Sequence, residues 1–173
     1  MGNFPSESPA LILLSGLPAS GKTTSARRLA ASLAFEHIES DAIRRGISPA
    51  PTYSSDESAA VFRKAEDLAA RALDGGHHAL LDATNLSNRD RKRFVRLAAR
   101  SGATLIAVRL TAPEAVIRER LAKPRDGWSQ AGAAVYERMR GRGQPFPMPA
   151  IVVDTRYPLE PSIELVLRLV REG

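Results

Sequence analysis

Residues that could bind phosphate stand at a fixed spacing near the start of the chain, Gly16-x-x-x-x-Gly21-Lys22-Thr23-Thr24. The glycines allow a loop whose backbone N–H groups converge on phosphate oxygens, and the N-terminus of a following helix adds favourable partial charge. A lysine in this position reaches the β- and γ-phosphates, and the Thr23 hydroxyl can ligate Mg²⁺. The spacing therefore predicts a site for ATP and Mg²⁺.

The segments on either side of this pattern support the same interpretation. An apolar run, Leu11–Leu14, precedes it and a helix-favouring run, Ser25–Ala31, follows it, which is the strand–loop–helix context of a phosphate loop. A simple glycine turn that contains a lysine by chance would not require a strand before it and a helix after it. We expect the nucleotide to contact Gly16, Pro18, Ala19, Ser20, Gly21, Lys22, Thr23 and Thr24.

Two carboxylates and an arginine form a second candidate group, because Asp41 and Asp82 each stand at the end of a predicted strand. A carboxylate that faces the γ-phosphate can act as a general base or orient the nucleophile. Arg44 follows Asp41 by three residues and lies on the same helical face, and its guanidinium suits a phosphate group. The alternatives are a helix N-cap for Asp41 and a solvated surface position for Arg44. Asp82 could cap a turn or hold Mg²⁺ through water.

The elements that must position these residues alternate between strand and helix along the chain. Apolar runs predict strands over residues 10–15, 36–39, 78–82, 103–110 and 151–154, and helical patterns predict helices over 21–34, 42–45, 56–73, 87–100, 114–121, 130–140 and 162–172. Ser87 and Thr111 each look like the first residue of a capping motif. The alternation predicts an α/β fold, a five-stranded parallel sheet with helices on both faces, and ligands bound at the carboxyl ends of the strands.

Composition narrows the possible functions. The 173 residues fit one domain, the absence of cysteine excludes disulfides and thiolate metal sites, and no apolar run is long enough to span a membrane. These features predict a cytoplasmic protein with no membrane partner. The net charge of +6 fits a polyanionic substrate and fits an arginine-rich proteome equally well.

Three motifs together, Gly16–Thr24, Ser40–Arg44 and Asp82–Leu86, resemble the P-loop kinase family that includes the kinase domain of phage polynucleotide 5′-hydroxyl kinase. Zeta-toxin-type and small-metabolite kinases are relatives of that family. The resemblance covers nearly the whole chain in order and spacing. It implies that residues 1–173 form a single domain with the P-loop NTPase fold and a helical lid at roughly residues 118–145.

The resemblance also implies roles for individual residues. Asp41 matches the carboxylate that accepts the proton of the attacking hydroxyl, Arg44 matches the arginine that grips the acceptor phosphate, and Asp82 matches the carboxylate that orients this arginine. Asn85 belongs to the same acceptor-binding motif. The lid of the family supplies an arginine to the transferring phosphoryl group, where negative charge accumulates. Arg125 is the best match by spacing, with Arg118 and Arg120 as alternatives, and Arg120 is also expected at the nucleotide.

The expected activity is therefore an ATP-dependent kinase that phosphorylates a hydroxyl. A 5′-hydroxyl polynucleotide end is the leading acceptor, because the Asp-x-x-Arg motif at Asp41 and Arg44 with Asp82 most resembles polynucleotide kinase. A sugar, antibiotic or metabolite acceptor is the alternative. A non-catalytic ATP-binding module is the third possibility, and it would need neither Asp41 nor a lid.

Overall fold

The computed structural model describes residues 8–84, 87–123 and 132–173, and it has the α/β architecture expected from the sequence. Its strands are β1 (Ala10–Ser15), β2 (Glu36–Glu39), β3 (Ala79–Asp82), β4 (Thr104–Thr111) and β5 (Ile151–Asp154). Its helices are α1 (Lys22–Ala30), α2 (Ser40–Ile47), α3 (Ser55–Asp74), α4 (Asn88–Arg100), α5 (Glu114–Ala122), α6 (Ala133–Met139) and α7 (Glu160–Glu172).

The five strands form one parallel sheet in the order β2-β3-β1-β4-β5. All six residues of β1 are buried, as expected for a central strand that is covered on both faces. Leu14 of β1 pairs with Asp82 of β3, and Ser15 pairs with Arg109 of β4. This register brings the carboxyl ends of the three central strands to one edge of the sheet, which is where the phosphate loop leaves β1.

Helices cover both faces of the sheet, and each face has its own apolar core. Alternate residues of β1 divide between the two cores, with Leu11 and Leu13 on one face and Ile12 and Leu14 on the other. Helices α3 and α4 pack on the first face through residues such as Phe62 and Phe94. Helices α1 and α7 pack on the second face.

Three predicted helix ends differ from the structure. Helix α1 ends at Ala30 rather than Ala34, because i→i−3 hydrogen bonds, such as the one from the N–H of Ser32 to the carbonyl of Leu29, close its last turn. The predicted turn at 42–45 is part of a full helix, α2. Thr111 is not a helix cap, because β4 runs through it and Pro113 is the N-cap of α5.

The predicted cap of α4 is confirmed, since the Ser87 hydroxyl accepts a hydrogen bond from the N–H of Asp90. Across the described ranges, no helix has the length and apolar character needed to cross a membrane.

Candidate active site

The phosphate loop joins β1 to α1, and its glycines are required by the geometry. Gly21, the residue before α1, has a φ of 99°, in the left-handed region that favours glycine. A Cβ added at Gly16 would lie 2.6 Å from the carbonyl oxygen of Leu110, closer than packing permits. The loop conformation therefore depends on both glycines of the predicted motif.

Lys22 begins α1 and folds back over the loop. Its Nζ donates hydrogen bonds to the carbonyl oxygens of Gly16 at 3.0 Å and Leu17 at 3.1 Å. These contacts hold the ammonium group at the mouth of the loop, where a phosphate lysine is needed. A bound phosphate would offer Nζ charged oxygens in place of the two carbonyls.

A cavity of about 430 Å³ opens on the α1 side of the loop, and we call it the nucleotide cavity. Its size lies within the usual range for small-molecule sites. Lysines, arginines and threonines dominate its lining, which consists of Ala19, Gly21, Lys22, Thr23, Thr24, Arg27, Arg120, Lys123, Thr155 and Leu159. Six of the residues predicted to contact the nucleotide are thus together here. Of the other three, Pro18 lines the acceptor cavity described below, and Gly16 and Ser20 line a third cavity behind the loop.

Arg120 connects α5 to the nucleotide cavity. Its guanidinium donates to the Ala19 carbonyl oxygen at 3.2 Å and to the Oγ1 and carbonyl oxygen of Thr155, both at 2.8 Å. Arg118 points elsewhere and forms exposed ion pairs with Glu114 and Glu137. The two arginines diverge because residues two apart lie on different faces of a helix. Arg125, the predicted lid arginine, lies outside the described residues, and so does Asn85.

Asp82 contacts the start of α1. The Thr23 hydroxyl donates to Asp82 Oδ2 at 2.9 Å, and the His37 Nε2 lies 3.8 Å from the same oxygen. Burial alone would raise the pKa of Asp82, but the nearby His37, Lys22 and Thr23 outweigh it and hold this pKa below its usual value. Asp82 is therefore ionised at neutral pH, although it is buried.

The contacts of Asp82 differ from those that the resemblance implied, in which Asp82 orients Arg44. Asp82 pairs with Thr23, because β3 lies directly beside β1 and ends level with the phosphate loop. The carboxylate beside Arg44 comes instead from Glu57 of α3. Its contact with the Thr23 hydroxyl favours the alternative in which Asp82 holds Mg²⁺ through water.

The Thr23 hydroxyl and the ionised Asp82 carboxylate fit the chemistry of Mg²⁺. This ion prefers oxygen ligands, keeps several waters and needs few protein ligands when phosphates supply the others. Within the described parts of the chain there is no cluster of three or more His, Asp or Glu that could hold a metal by itself. A magnesium ion here would therefore be held by Thr23, by Asp82 through water, and by the nucleotide.

A second cavity lies next to the first, and we call it the acceptor cavity. It measures about 30 Å³, room for about two water molecules. Asp41, in the first turn of α2, lines it together with Arg44 and Asp82, and Lys22 and Thr23 line both cavities. The predicted base and the predicted phosphate lysine therefore face one space.

Arg44 is buried at the wall of the acceptor cavity and is held from two sides. It forms an ion pair with Glu57, and its guanidinium lies 4.5 Å from the centre of the Tyr53 ring. Its buried Nε has no hydrogen-bond partner among the described residues. An arginine that is fixed in place with a donor unpaired is suited to bind a ligand oxygen.

Glu57 is the site residue that the sequence interpretation missed. Its carboxylate accepts from Arg44, from the N–H and hydroxyl of Thr52 at 2.7 and 2.8 Å, and from the N–H of Tyr53 at 3.2 Å. Although burial raises it, these hydrogen bonds lower the pKa of Glu57 to about 2. The available signal was the capping pattern Ser54-x-x-Glu57, since the Ser54 hydroxyl accepts from the N–H of Glu57.

The sequence profile of the AAA domain family AAA_33 matches residues 11–146, which include the phosphate loop, the acceptor cavity and α5. The chain belongs to this family. Among curated proteins, the chain is similar to Rv2004c of Mycobacterium tuberculosis, an uncharacterized protein that is 28% identical over 165 aligned residues. That match covers 88% of the chain, and the chain spans about one third of the relative's length (33%).

Solved structures share the fold of this AAA domain protein. A sugar kinase from Janibacter sp. HTCC2649 superposes with a TM-score of 0.73 at 20% identity, over 94% of each chain. The APS kinase CysC of Mycobacterium tuberculosis, in complex with AMPPNP and APS, has a TM-score of 0.70 at 18% identity, over 94% of this chain and 98% of its own. A chain of the Pnkp1/Rnl/Hen1 complex has a TM-score of 0.60 at 19% identity, over 86% of this chain and 48% of that one. At these identities the likeness establishes a P-loop kinase fold.

Proposed function

We propose that this protein is an ATP-dependent kinase that transfers the γ-phosphate to a hydroxyl group. The observation that carries the proposal is the meeting of two cavities at Lys22 and Thr23, with Asp41 in the second. A phosphoryl group held at this junction would face the nucleotide on one side and an acceptor on the other. The kinase structures that share the fold support the same class of reaction.

Each residue has a definite part in the proposed reaction. Lys22 and the loop N–H groups bind the phosphates and balance the charge that develops on them. Asp41 accepts the proton of the acceptor hydroxyl while the oxygen of that hydroxyl forms a bond to the γ-phosphorus. The bond from that phosphorus to the β–γ bridging oxygen breaks, and ADP leaves with the electron pair. Mg²⁺ bound with ATP would supply further positive charge near Thr23 and Asp82.

The acceptor we propose first is the 5′-hydroxyl end of a polynucleotide. Arg44 supports it, because this buried arginine keeps an unpaired Nε–H at the wall of the acceptor cavity. A phosphate next to the reacting hydroxyl would satisfy that donor. The net charge of +6 is consistent with a polyanionic acceptor.

A small-molecule acceptor is the second candidate, and the size of the acceptor cavity favours it. A space of about 30 Å³ admits a hydroxyl group and little more, so a polynucleotide end would require the cavity to open. The sugar kinase and the APS kinase with the same fold are named for small acceptors.

The test is transfer of label from γ-labelled ATP, with Mg²⁺, to a short 5′-hydroxyl oligonucleotide and to a panel of sugars and metabolites. Asp41→Asn should lower transfer at least about 100-fold, as expected for loss of a general base, while ATP affinity stays the same. Asp74→Asn, at the exposed end of α3, is the matched control and should leave transfer unchanged. Transfer that survives in the Asp41 variant would refute the assignment of the base.

Salt dependence separates the two acceptor classes. A polynucleotide acceptor should show a KM that rises steeply with ionic strength, because binding releases counterions from its phosphates. A neutral small acceptor should show a nearly constant KM. Label on the oligonucleotide with a salt-independent KM would contradict the proposed phosphate contact of Arg44.

A further inference from the structure

A third cavity lies behind the phosphate loop, and we call it the rear cavity. It measures about 320 Å³, large enough for a small organic molecule. It is lined by the ends of β1 and β4, by phosphate-loop residues, by one residue each of α4, α5 and α6, and by the segment after α6: Ser15, Gly16, Leu17, Ser20, Arg91, Arg109, Leu110, Thr111, Ala112, Ile117, Met139, Gly141, Gly143 and Gln144. None of these described residues lines the nucleotide cavity.

Two residues that line the rear cavity each carry a buried polar atom with no partner in the described structure. One such atom is the Oγ of Ser20, from the phosphate loop, and the other is the Nε of Arg91, from the first turn of α4. The two residues are only 1% and 2% exposed. Buried polar groups are nearly always hydrogen-bonded, because an unpaired one loses its water without compensation. Two such groups from separate elements in one cavity indicate that a ligand supplies the acceptor.

The charge of the rear cavity points to an anion. Arg91 and Arg109 both line it, and its described lining includes no carboxylate. Burial, and then the charge of Arg109, lower the pKa of Arg91, so the two guanidinium groups act on each other. An anion placed between them would relieve that repulsion and accept from both.

The guanidinium of Arg91 is also held firmly in position. Its Nη1 donates to the carbonyl oxygens of Gln144 and Pro145, at 2.5 and 3.2 Å, and it lies 3.9 Å from the centre of the Phe146 ring. These partners are neutral, and the carboxylate that acts on Arg91 is that of Asp90, which outweighs neither burial nor Arg109 in their effect on the pKa of Arg91. A cation that is already fixed in place loses little conformational entropy when it binds a ligand.

We propose that the rear cavity is a second anion-binding site, which takes the phosphate or carboxylate group of a small molecule through Arg91, Arg109 and Ser20. The site is separate from the nucleotide cavity, and its existence does not depend on the kinase activity proposed above. Because Ser20 and Gly16 belong to the phosphate loop, a ligand here would contact the loop from behind.

The test is an NMR titration of the ¹⁵N-labelled protein with its nucleotide cavity saturated by AMPPNP and Mg²⁺, so that added anions cannot occupy the phosphate loop. Inorganic phosphate is the probe in one titration and acetate in a second, at constant ionic strength set with chloride. The amides of Gly141 and Gly143 report on the rear cavity, and the amide of Gly76, at the end of α3, is the distant control. Saturable chemical-shift changes are expected at the amides of Gly141 and Gly143. The anion that binds more tightly, phosphate or acetate, shows whether the site takes a phosphate or a carboxylate group.

Arg109→Gln should weaken anion binding about tenfold, the usual effect of losing one charge-assisted hydrogen bond, and leave AMPPNP affinity unchanged. Arg91→Lys keeps the charge of Arg91 but cannot replace its Nε–H, and it should weaken binding as well. Arg28→Gln, which removes an exposed arginine paired with Glu160, is the control and should have no effect. The absence of saturable shifts, or shifts that Arg109→Gln does not alter, would overturn the proposal.

Discussion

Replacement of Glu57 by glutamine tests whether this carboxylate holds Arg44 in the acceptor cavity. Only 7% of the Arg44 side chain and 9% of the Glu57 side chain are exposed, so the pair is buried. Removing one partner of a buried ion pair leaves an uncompensated charge and costs about 3–5 kcal/mol. Glutamine keeps the shape of the glutamate side chain and one acceptor oxygen. We therefore expect Glu57→Gln to lower the free energy of unfolding by about 3 kcal/mol, at the lower end of that range.

The assay is urea unfolding of the wild type and the variant at pH 7, followed by circular dichroism. Glu160→Gln is the matched control, because Glu160 forms an exposed ion pair with Arg28, and it should cost less than about 1 kcal/mol. If Glu57→Gln costs no more than this control, the pair does not hold Arg44 and the reasoning is refuted. The double variant Arg44→Met with Glu57→Gln should recover part of the loss, because it leaves no unpaired buried cation.

The pH dependence of the same measurement has a definite sign. The folded-state pKa of Glu57, about 2, lies below its ordinary value of 4.5, so its ionised form stabilises the folded protein. This contribution is complete above about pH 4.5 and is lost as the pH falls toward 2. The difference in stability between wild type and Glu57→Gln should therefore shrink over that window. A difference that stays constant down to pH 2.5 would show that the charge of Glu57 is not its source.

Two further predictions concern the nucleotide. Asp82→Asn should raise the Mg²⁺ concentration needed for half-maximal activity by about 10–100-fold, because a neutral amide beside Thr23 holds the waters of the ion less strongly. An unchanged Mg²⁺ dependence would show that Asp82 does not hold the ion through water. Arg120→Ala should weaken ATP binding about tenfold in calorimetry, since it removes a cation from the cavity and frees Thr155. Arg118→Ala, which removes only exposed ion pairs, should leave ATP binding unchanged, and equal losses in the two variants would contradict the placement of Arg120.

Local sequence was sufficient for the phosphate loop and for most of the fold. The spacing from Gly16 to Thr23 specifies a loop whose geometry depends on its own backbone, and the structure shows Gly21 in the left-handed region that the loop requires. Strands β1 and β3 were predictable because the inner strands of a parallel sheet are buried on both faces and appear as short apolar runs. The outer strands β2 and β5 were predicted as well, although only Ile38 and Val153 among their residues are buried. The capping pattern at Ser87 is equally local, and it is confirmed.

The tertiary structure decided which of the predicted residues meet. The capping pattern at Thr111 failed because β4 pairs with β5 as far as that residue, and the ladder outweighs the local preference. The partner of Arg44 is Glu57, thirteen residues away, and Asp82 pairs with Thr23, fifty-nine residues away. Both pairings follow from strand order and from the docking of α3 against α2. The sequence by itself determined which residues could do chemistry, because residue type and short spacing are local properties. The contacts among them depend on which strands become neighbours, and only the packed sheet decides that.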